Sequence, residues 1–128
     1  MFEKLEIFQL SSGLAQHAAA RQAVIAANVA NADTPGYRAK DITAFSAMLG
    51  PNAPKAMRQT RQGHFAGPPA QNAIFQTIDT EDPVSPNGNS VSLETEMIRG
   101  ADVRQQFDVA LSVYSTSLNI LRTSIGRK

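Results

Sequence analysis

Few side chains in this sequence are of a type that could do chemistry. The two histidines, His17 and His64, have no carboxylate or second histidine at ligand spacing, so each is expected to be an ordinary packing or surface residue. A short acidic group, formed by Asp79, Glu81 and Asp82, resembles part of a calcium loop. The glycine and final glutamate of an EF-hand are missing, and a solvated turn is the better interpretation.

Catalytic motifs are also missing from the sequence. It contains no G-x-x-x-x-G-K phosphate loop, no G-x-G-x-x-G and no H-E-x-x-H. The absence of Cys removes thiolate nucleophiles, disulfides and cysteine ligands for zinc. A net charge of +1 gives no argument for binding nucleic acid or an anionic membrane. We therefore predict that the protein is not an enzyme and has no catalytic, cofactor-binding or metal site.

The two ends of the chain are unusually poor in charge. Residues 7–32 contain a single charged side chain, Arg21, and residues 109–121 contain none, although both segments read as long helices. A helix exposed to water normally keeps a charged face opposite its apolar one. Surfaces of this kind are expected to be covered by other chains, which indicates an assembly subunit.

The first predicted helix runs from about residue 3 to residue 32. Its composition is rich in Ala and poor in Gly, as suits a helix, and its apolar stripe includes Leu14 and Ile25. It ends before Thr34-Pro35-Gly36, because a proline disfavours helical geometry in the residue before it and Pro-Gly suits a type II turn. At 1.5 Å per residue this helix would be about 45 Å long.

The second predicted helix begins after Ser92, which suits an N-cap, and ends at Gly126, which suits a C-cap. A heptad stripe runs along it at alternating spacings of four and three: Leu93, Met97, Gly100, Arg104, Phe107, Leu111, Tyr114, Leu118, Leu121 and Ile125. At about 50 Å it nearly matches the first helix in length. The sequence thus predicts a mainly α fold, an antiparallel coiled-coil hairpin packed through Leu14, Ile25 and the eight apolar residues of the heptad stripe.

A second stripe of smaller side chains lies beside the heptad stripe. It consists of Val103, Ala110, Val113 and Ile120, with Ser117 and Ser124 between them. Burial of one apolar side chain is worth about 1.5–3 kcal/mol, and a single partner helix cannot cover both stripes. Contacts between chains are therefore favoured over a monomeric bundle, for which the proline-rich middle of the chain offers no third helix.

The middle of the chain has a different composition. Six of the seven prolines fall within residues 51–86, which predicts an extended, loop-rich segment in which residues 73–78 resemble a short strand and a short β-hairpin is an open option. We divide the chain into residues 1–44, an N-terminal helix with its turn, residues 45–90, the extended segment, and residues 91–128, the heptad helix. The two ends would form one structural domain.

No targeting signal is evident at the N-terminus. It lacks the basic start and apolar core of a secretory signal, and no run of 18 apolar residues could form a transmembrane segment. Any passage out of the cytoplasm would use a route that does not read a cleavable signal.

Two motifs resemble a known family. Residues 27–37, ANVANADTPGY, are similar to the N-terminal signature of bacterial flagellar rod and hook proteins, the axial proteins. Residues 38–41 with Phe45, residues 87–97, NGNSVSLETEM, and residues 121–126 resemble the proximal-rod branch of that family. One departure is Ser92, where the branch commonly has Asp; both residues can cap a helix.

This resemblance implies a structural role. Axial proteins pack their terminal helices as a coiled coil and stack helically into a hollow tube, the drive shaft for motility. The implied subunit-interaction residues are Asn28, Asn31, Thr34, Pro35, Gly36 and Tyr37. The implied location is the basal-body rod in the periplasm, reached without signal cleavage.

The implied partners are further copies of the chain, other rod subunits such as FlgC, the adaptor FliE, the membrane-ring protein FliF and, in transit, the flagellar type III export apparatus. Two alternatives stay open on the sequence alone. One is another small axial subunit, such as the FlgC type. The other, from a different class, is a helical adaptor or export chaperone that remains in the cytoplasm.

Overall fold

The computed structural model describes residues 2–49 and 75–126, with the side chains of residues 2–5 left out. Most of the predicted extended segment, residues 50–74, lies outside the described residues, and so does His64. Five elements occur in chain order: α1 Phe2–Ala30, β1 Lys40–Ile42, α2 Phe45–Met48, β2 Thr77–Asp79 and α3 Leu93–Ile125.

The two long helices, α1 and α3, pack as an antiparallel hairpin. The ring of Phe8, near the start of α1, meets the ring of Tyr114 in the second half of α3, with 5.3 Å between ring centroids. At the opposite end of the hairpin, the amide nitrogen of Asn28 donates to the carboxylate of Glu96 at 3.1 Å. The mainly α hairpin predicted from the sequence is confirmed.

The predicted ends of the helices are close to those observed. The Ser92 hydroxyl accepts from the Thr95 N–H at 3.5 Å, and the Gly126 N–H donates to the Arg122 carbonyl at 2.8 Å. Helix α1 ends at Ala30, two residues before the predicted boundary. The chain then turns at Thr34 to Tyr37, whose N–H donates to the Thr34 carbonyl at 3.3 Å.

One glutamate and two smaller apolar side chains of α3 are buried in the contact between α1 and α3. On α3 the buried residues are Glu96, Val103 and Ala110. Val103 packs with Ala18 and Ile25 of α1 in a buried apolar cluster. Val103 and Ala110 of the second stripe, and not the heptad stripe, therefore supply the buried apolar centre of the hairpin on α3, while Val113 and Ile120 of the same stripe are exposed. Small residues suit this position because they let two helix backbones approach closely.

A two-stranded antiparallel sheet lies against the α1 side of the hairpin. Lys40 pairs with Asp79, Asp41 with Ile78 and Ile42 with Thr77. Residues 73–78 were expected to resemble a strand, and β2 overlaps that range. Its partner β1, however, directly follows the turn after α1, so the sheet joins the first and second predicted segments. Among the described helices, none combines the length and apolar character needed to cross a bilayer.

Candidate functional site

The turn after α1 and the segment before α3 form one site, and Asn89 is at its centre. Its side-chain nitrogen is 2.9 Å from the Asn31 carbonyl oxygen, 2.8 Å from that of Ala32 and 2.9 Å from that of Thr34. Its oxygen accepts from the Val91 N–H at 2.7 Å, which fixes the orientation of the amide. These three carbonyls belong to the turn that follows α1, and buried Asn89 supplies one donor group for all of them.

Asn28 is fully buried and ties α1 to β1. Its side-chain oxygen accepts from the Lys40 N–H at 3.1 Å, and its side-chain nitrogen donates to the Lys40 carbonyl at 2.7 Å. The amide thus pairs with the backbone of Lys40 as a neighbouring strand would. The Tyr37 hydroxyl lies 3.4 Å from the same side-chain oxygen.

A network of hydrogen bonds and ion pairs extends from Asn28 to Glu96, Arg99 and Asp82. One carboxylate oxygen of Glu96 accepts from Asn28, and the other accepts from the Arg99 guanidinium at 2.7 Å. Arg99 also donates to both carboxylate oxygens of Asp82, each at 3.0 Å. Buried Glu96 therefore has both oxygens satisfied, as a buried carboxylate requires.

A second ion pair connects α1 with β1. The Arg21 guanidinium donates to the two carboxylate oxygens of Asp41 at 2.7 and 2.6 Å. Such two-point contacts fix orientation as well as charge. The pair anchors the strand to the middle of the first helix.

These contacts shift the pKa values of both aspartates downward. Burial raises the pKa of Asp41, but the Arg21 guanidinium, the Ile42 N–H and the nearby arginine charges outweigh it and hold that pKa below its usual value. Hydrogen bonds from Arg99 lower the pKa of Asp82, with a smaller opposing effect of burial. Both carboxylates are thus held in their charged form.

Backbone contacts complete the junction between the two motifs. The Gly36 N–H donates to the Asn87 carbonyl at 3.1 Å, and the Ser90 N–H donates to the Tyr37 carbonyl at 3.1 Å. The Ser90 hydroxyl in turn accepts from the Ala39 N–H at 2.8 Å. The two motifs that resemble axial proteins, 55 residues apart at the Asn89–Thr34 contact, therefore bind each other directly.

The six predicted interaction residues divide into two groups. Asn28 and half-buried Tyr37 face the interior of the junction, whereas Thr34, Pro35 and Gly36 are exposed on the turn. Asn31 is half-buried and bonds locally, with its amide nitrogen donating to the Ala27 carbonyl at 2.8 Å and its oxygen accepting from the Thr34 hydroxyl at 3.2 Å. Contacts of this turn with a neighbouring subunit stay a prediction.

The predicted coiled-coil residues are covered to very different degrees within one chain. Ile25 is buried, and Leu14, Leu118 and Leu121 are half-buried. Met97 is 74% exposed, Leu111 49% and Ile125 81%. Leu93, Phe107 and Tyr114 are also exposed. Since these six side chains are partly or mostly uncovered within one chain, with Tyr114 contacting Phe8 of α1, the packing of their exposed parts is a prediction about contacts between subunits.

A groove of about 640 Å³ borders this exposed stripe between the two helices. Its lining consists of Ala18, Ala19, Gln22, Gly100, Ala101, Val103, Arg104 and Phe107. The small residues at its centre leave room for side chains from another chain.

His17 has a structural environment that its sequence position did not reveal. It is buried, with its Nε2–H donating to the Thr43 carbonyl at 2.8 Å and with the rings of Phe45 and Phe75 beside it. This placement is that of a packing residue. In residues 2–49 and 75–126, no group of three or more His, Asp or Glu side chains is arranged to hold a metal ion.

Sequence reasoning missed most of the junction. Asn89, Ser90 and Glu96 lay within a recognised motif, but that motif was interpreted only as a resemblance to the family. The sequence could have predicted the pairing of Arg99 with Glu96, because residues three apart lie next to each other on a helix. The partner of each group lies far away in sequence, and only the fold brings them together.

The geometry defines a class of protein. An antiparallel pair of long helices, closed at one end by the junction of two motifs and exposing a stripe of apolar side chains, is an architecture suited to a structural subunit.

Known proteins define the family. Residues 10–38 match the family described as "Flagella basal body rod protein". The chain is 37% identical over 108 residues to the flagellar basal body rod protein FlgB of Escherichia coli (strain K12), covering 76% of both chains. It is 27% identical over 129 residues to that of Agrobacterium fabrum (strain C58), covering 98% of this chain and 96% of that protein. The chain belongs to the family of the flagellar basal body rod protein FlgB, as the resemblance in its sequence predicted.

Proposed function

We propose that this chain is a structural subunit of the proximal flagellar rod, where copies polymerise helically with other rod proteins into the shaft that transmits torque across the periplasm. Its membership of a family of flagellar basal body rod proteins supports the location in the rod. The helical hairpin supports a structural role, because it provides long surfaces for packing between subunits.

The exposed apolar stripe of α3 is the observation that carries this proposal. Leu111 and Tyr114 lie in the charge-free run of residues 109–121 and remain exposed in the single chain. Full burial of an exposed apolar side chain is worth about 1.5–3 kcal/mol, and covering these half-exposed side chains would recover part of that value, which favours packing against a neighbour. Contacts between unlike surfaces that do not close into a ring produce a helical filament.

Particular neighbours follow from the same proposal. Further copies of the chain and subunits such as FlgC would cover the exposed stripe, while FliE and FliF would contact the subunit at the membrane end of the rod. The chain would reach this position through the flagellar type III export apparatus with no cleaved signal peptide.

An aspartate in the exposed stripe tests the proposal. In L111D the hairpin should keep its helical circular dichroism, because Leu111 is half-exposed, but the variant should be absent from purified basal bodies and its cells should not swim. The matched control is Q105D, which adds the same charge between Asp102 and Asp108 on a face that is already charged. Normal incorporation and swimming of L111D would contradict the proposal.

A further inference from the structure

The contact between α1 and α3 is built on a seven-residue repeat. The buried residues of α3, Glu96, Val103 and Ala110, are seven apart. On α1, Ala18 and Ile25 are buried at the same spacing, and Ser11 precedes them by seven. A shift of one helix by seven residues brings equivalent positions together again, so a heptad repeat allows pairing in more than one register. Small residues such as Ala and Val discriminate weakly between those registers.

One pair in this repeat is polar and fully buried. Asn28 and Glu96 meet at 3.1 Å, and the bonds of Asn28 to Lys40 fix the amide so that its nitrogen points at the carboxylate. Among the described side chains, the Glu96 carboxylate accepts hydrogen bonds from Asn28 and from Arg99, its neighbour on the same helix. Among the described residues, the pair is therefore the side-chain hydrogen bond that joins α1 directly to α3, whereas the bonds of Asn89 and Ser90 join the segments that flank the two helices.

Either neighbouring register would break this pair. A shift in one direction places Val103 level with Asn28 and carries Glu96 past the end of α1. A shift in the other direction places Glu96 level with Arg21, whose guanidinium already binds Asp41 at two points. In both cases an amide hydrogen of buried Asn28 loses its acceptor, and an unsatisfied buried polar group is strongly unfavourable.

We propose that Asn28 and Glu96 form a register lock, a buried polar pair that selects one alignment of α1 and α3 out of the several that the heptad repeat permits. The lock itself is a property of the single folded chain. Its consequence for assembly rests on the function proposed above: one register sets where the exposed stripe of α3 lies relative to α1, and neighbouring subunits need that alignment. Single buried polar residues are known to fix register in coiled coils at some expense of stability.

Disulfide trapping can measure the register, because the chain contains no native Cys. Phe8 contacts Tyr114 in the observed register, and Phe107 and Leu121 lie seven residues to either side of Tyr114. The full-length pairs F8C/Y114C, F8C/F107C and F8C/L121C therefore report the observed register and the two shifted ones. Cross-linking rates under mild oxidation, read by gel mobility and peptide mass spectrometry, give the relative populations.

Four substitutions are combined with each reporter pair, three at Glu96 and one control. E96L removes the carboxylate but leaves the bonds between Asn28 and Lys40 in place, and E96A does the same with a smaller, strongly helix-forming side chain. E96Q keeps a carbonyl oxygen that can accept from Asn28. V103A is the matched control, since it weakens the same seam by removing apolar contacts without touching the polar pair.

With Glu96 present, we expect the F8C/Y114C pair to cross-link at least tenfold faster than either shifted pair. In E96L and E96A, at least one shifted pair should cross-link at a rate within threefold of that of F8C/Y114C. E96Q and V103A should retain the tenfold preference for F8C/Y114C. Exclusive F8C/Y114C cross-linking in E96L and E96A would overturn the proposal, and so would equal loss of preference in V103A. Loss of helical circular dichroism in both Glu96 variants, with V103A still folded, would also overturn it, because the pair would then be needed for folding and not for choice of register.

The assembly role is tested separately by incorporation of E96L and E96Q into basal bodies. If E96L is absent from basal bodies and E96Q is incorporated, the result supports the proposal that assembly needs the register selected by the lock. Normal incorporation of a register-shifted E96L would refute this role in assembly, but it would not contradict the lock proposed for the single chain. Failure of L111D to disturb the rod would instead count against the proposed function alone.

Discussion

The Cα atom of Gly36 lies 3.3 Å from the position that a Cβ atom on Gly88 would occupy. Both glycines have positive φ angles, 74° and 82°, in the left-handed region that other residues rarely adopt. The two turns, one from each motif, therefore touch through backbone atoms. Their close approach allows the Gly36 N–H to reach the Asn87 carbonyl.

Alanine at three glycines should separate backbone strain from contact. G36A should lose about 1–2 kcal/mol, because its φ is positive but a Cβ would meet no atom within 4 Å. G88A should lose more, since the Cβ would also press on Gly36. G100A is the control and should gain up to about 1 kcal/mol, as Gly100 lies inside α3 with free space around it. Urea unfolding followed by circular dichroism gives the order, and equal losses for G36A and G88A would contradict the close-contact argument.

Removal of the Asn89 side chain should destabilise the turn that follows α1. N89A leaves the carbonyls of Asn31, Ala32 and Thr34 without their shared donor, and we expect a loss of about 1–3 kcal/mol in the free energy of unfolding. N89D should be less stable still, because it turns a carboxylate oxygen toward those carbonyls at the negative end of a helix.

The matched control for Asn89 is N119A, which removes the same amide from an exposed position on α3. It should change stability by no more than about 0.5 kcal/mol. If N89A and N119A were equally stable, water would replace the hydrogen bonds of Asn89 with no loss in the free energy of unfolding, which would contradict the prediction.

The two ion pairs should make the fold sensitive to acid. Because Asp41 and Asp82 have lowered pKa values in the folded chain, their stabilisation is fully present above the unfolded value of about 3.9 and is lost as the pH falls below it. The parent should therefore be more stable than D41N/D82N at pH 6, and this difference should shrink toward pH 2. D108N removes a negative charge from an exposed site on α3 and controls for net charge. A difference that is constant between pH 6 and pH 2 would rule out this linkage.

The sequence predicted the elements of this fold better than their contacts. Ser92 and Gly126 identified the ends of α3 because capping is a local property, and Pro35-Gly36 identified the turn for the same reason. The heptad stripe containing Leu111 and Tyr114 was easier to recognise than the stripe of Val103 and Ala110, yet the small residues form the hairpin contact. Apolar periodicity shows which side chains avoid water but not which partner covers them.

The junction could not be predicted, because it is held together by hydrogen bonds and ion pairs between residues that are far apart in the sequence. Asn28 was expected to contact a neighbouring subunit, and nothing local indicated Lys40 or Glu96 as its partners. Asp82 was interpreted as part of a solvated turn, whereas Arg99, 17 residues later, binds it at two points. Such partners become evident only when the backbone brings the segments together.

The tautomer of His17 provides a final test of the packing around β1 and α2. A carbonyl oxygen can only accept, so the contact of Nε2 with the Thr43 carbonyl at 2.8 Å requires the neutral ring to carry its proton on Nε2. Nδ1 is buried and has no hydrogen-bond partner in the described part of the chain. Long-range ¹H–¹⁵N correlation spectra recorded on the neutral ring should therefore show the Nε2–H form. H64Q leaves His17 as the only histidine and makes the assignment direct, and a spectrum of the Nδ1–H form would mean that His17 does not bond to Thr43.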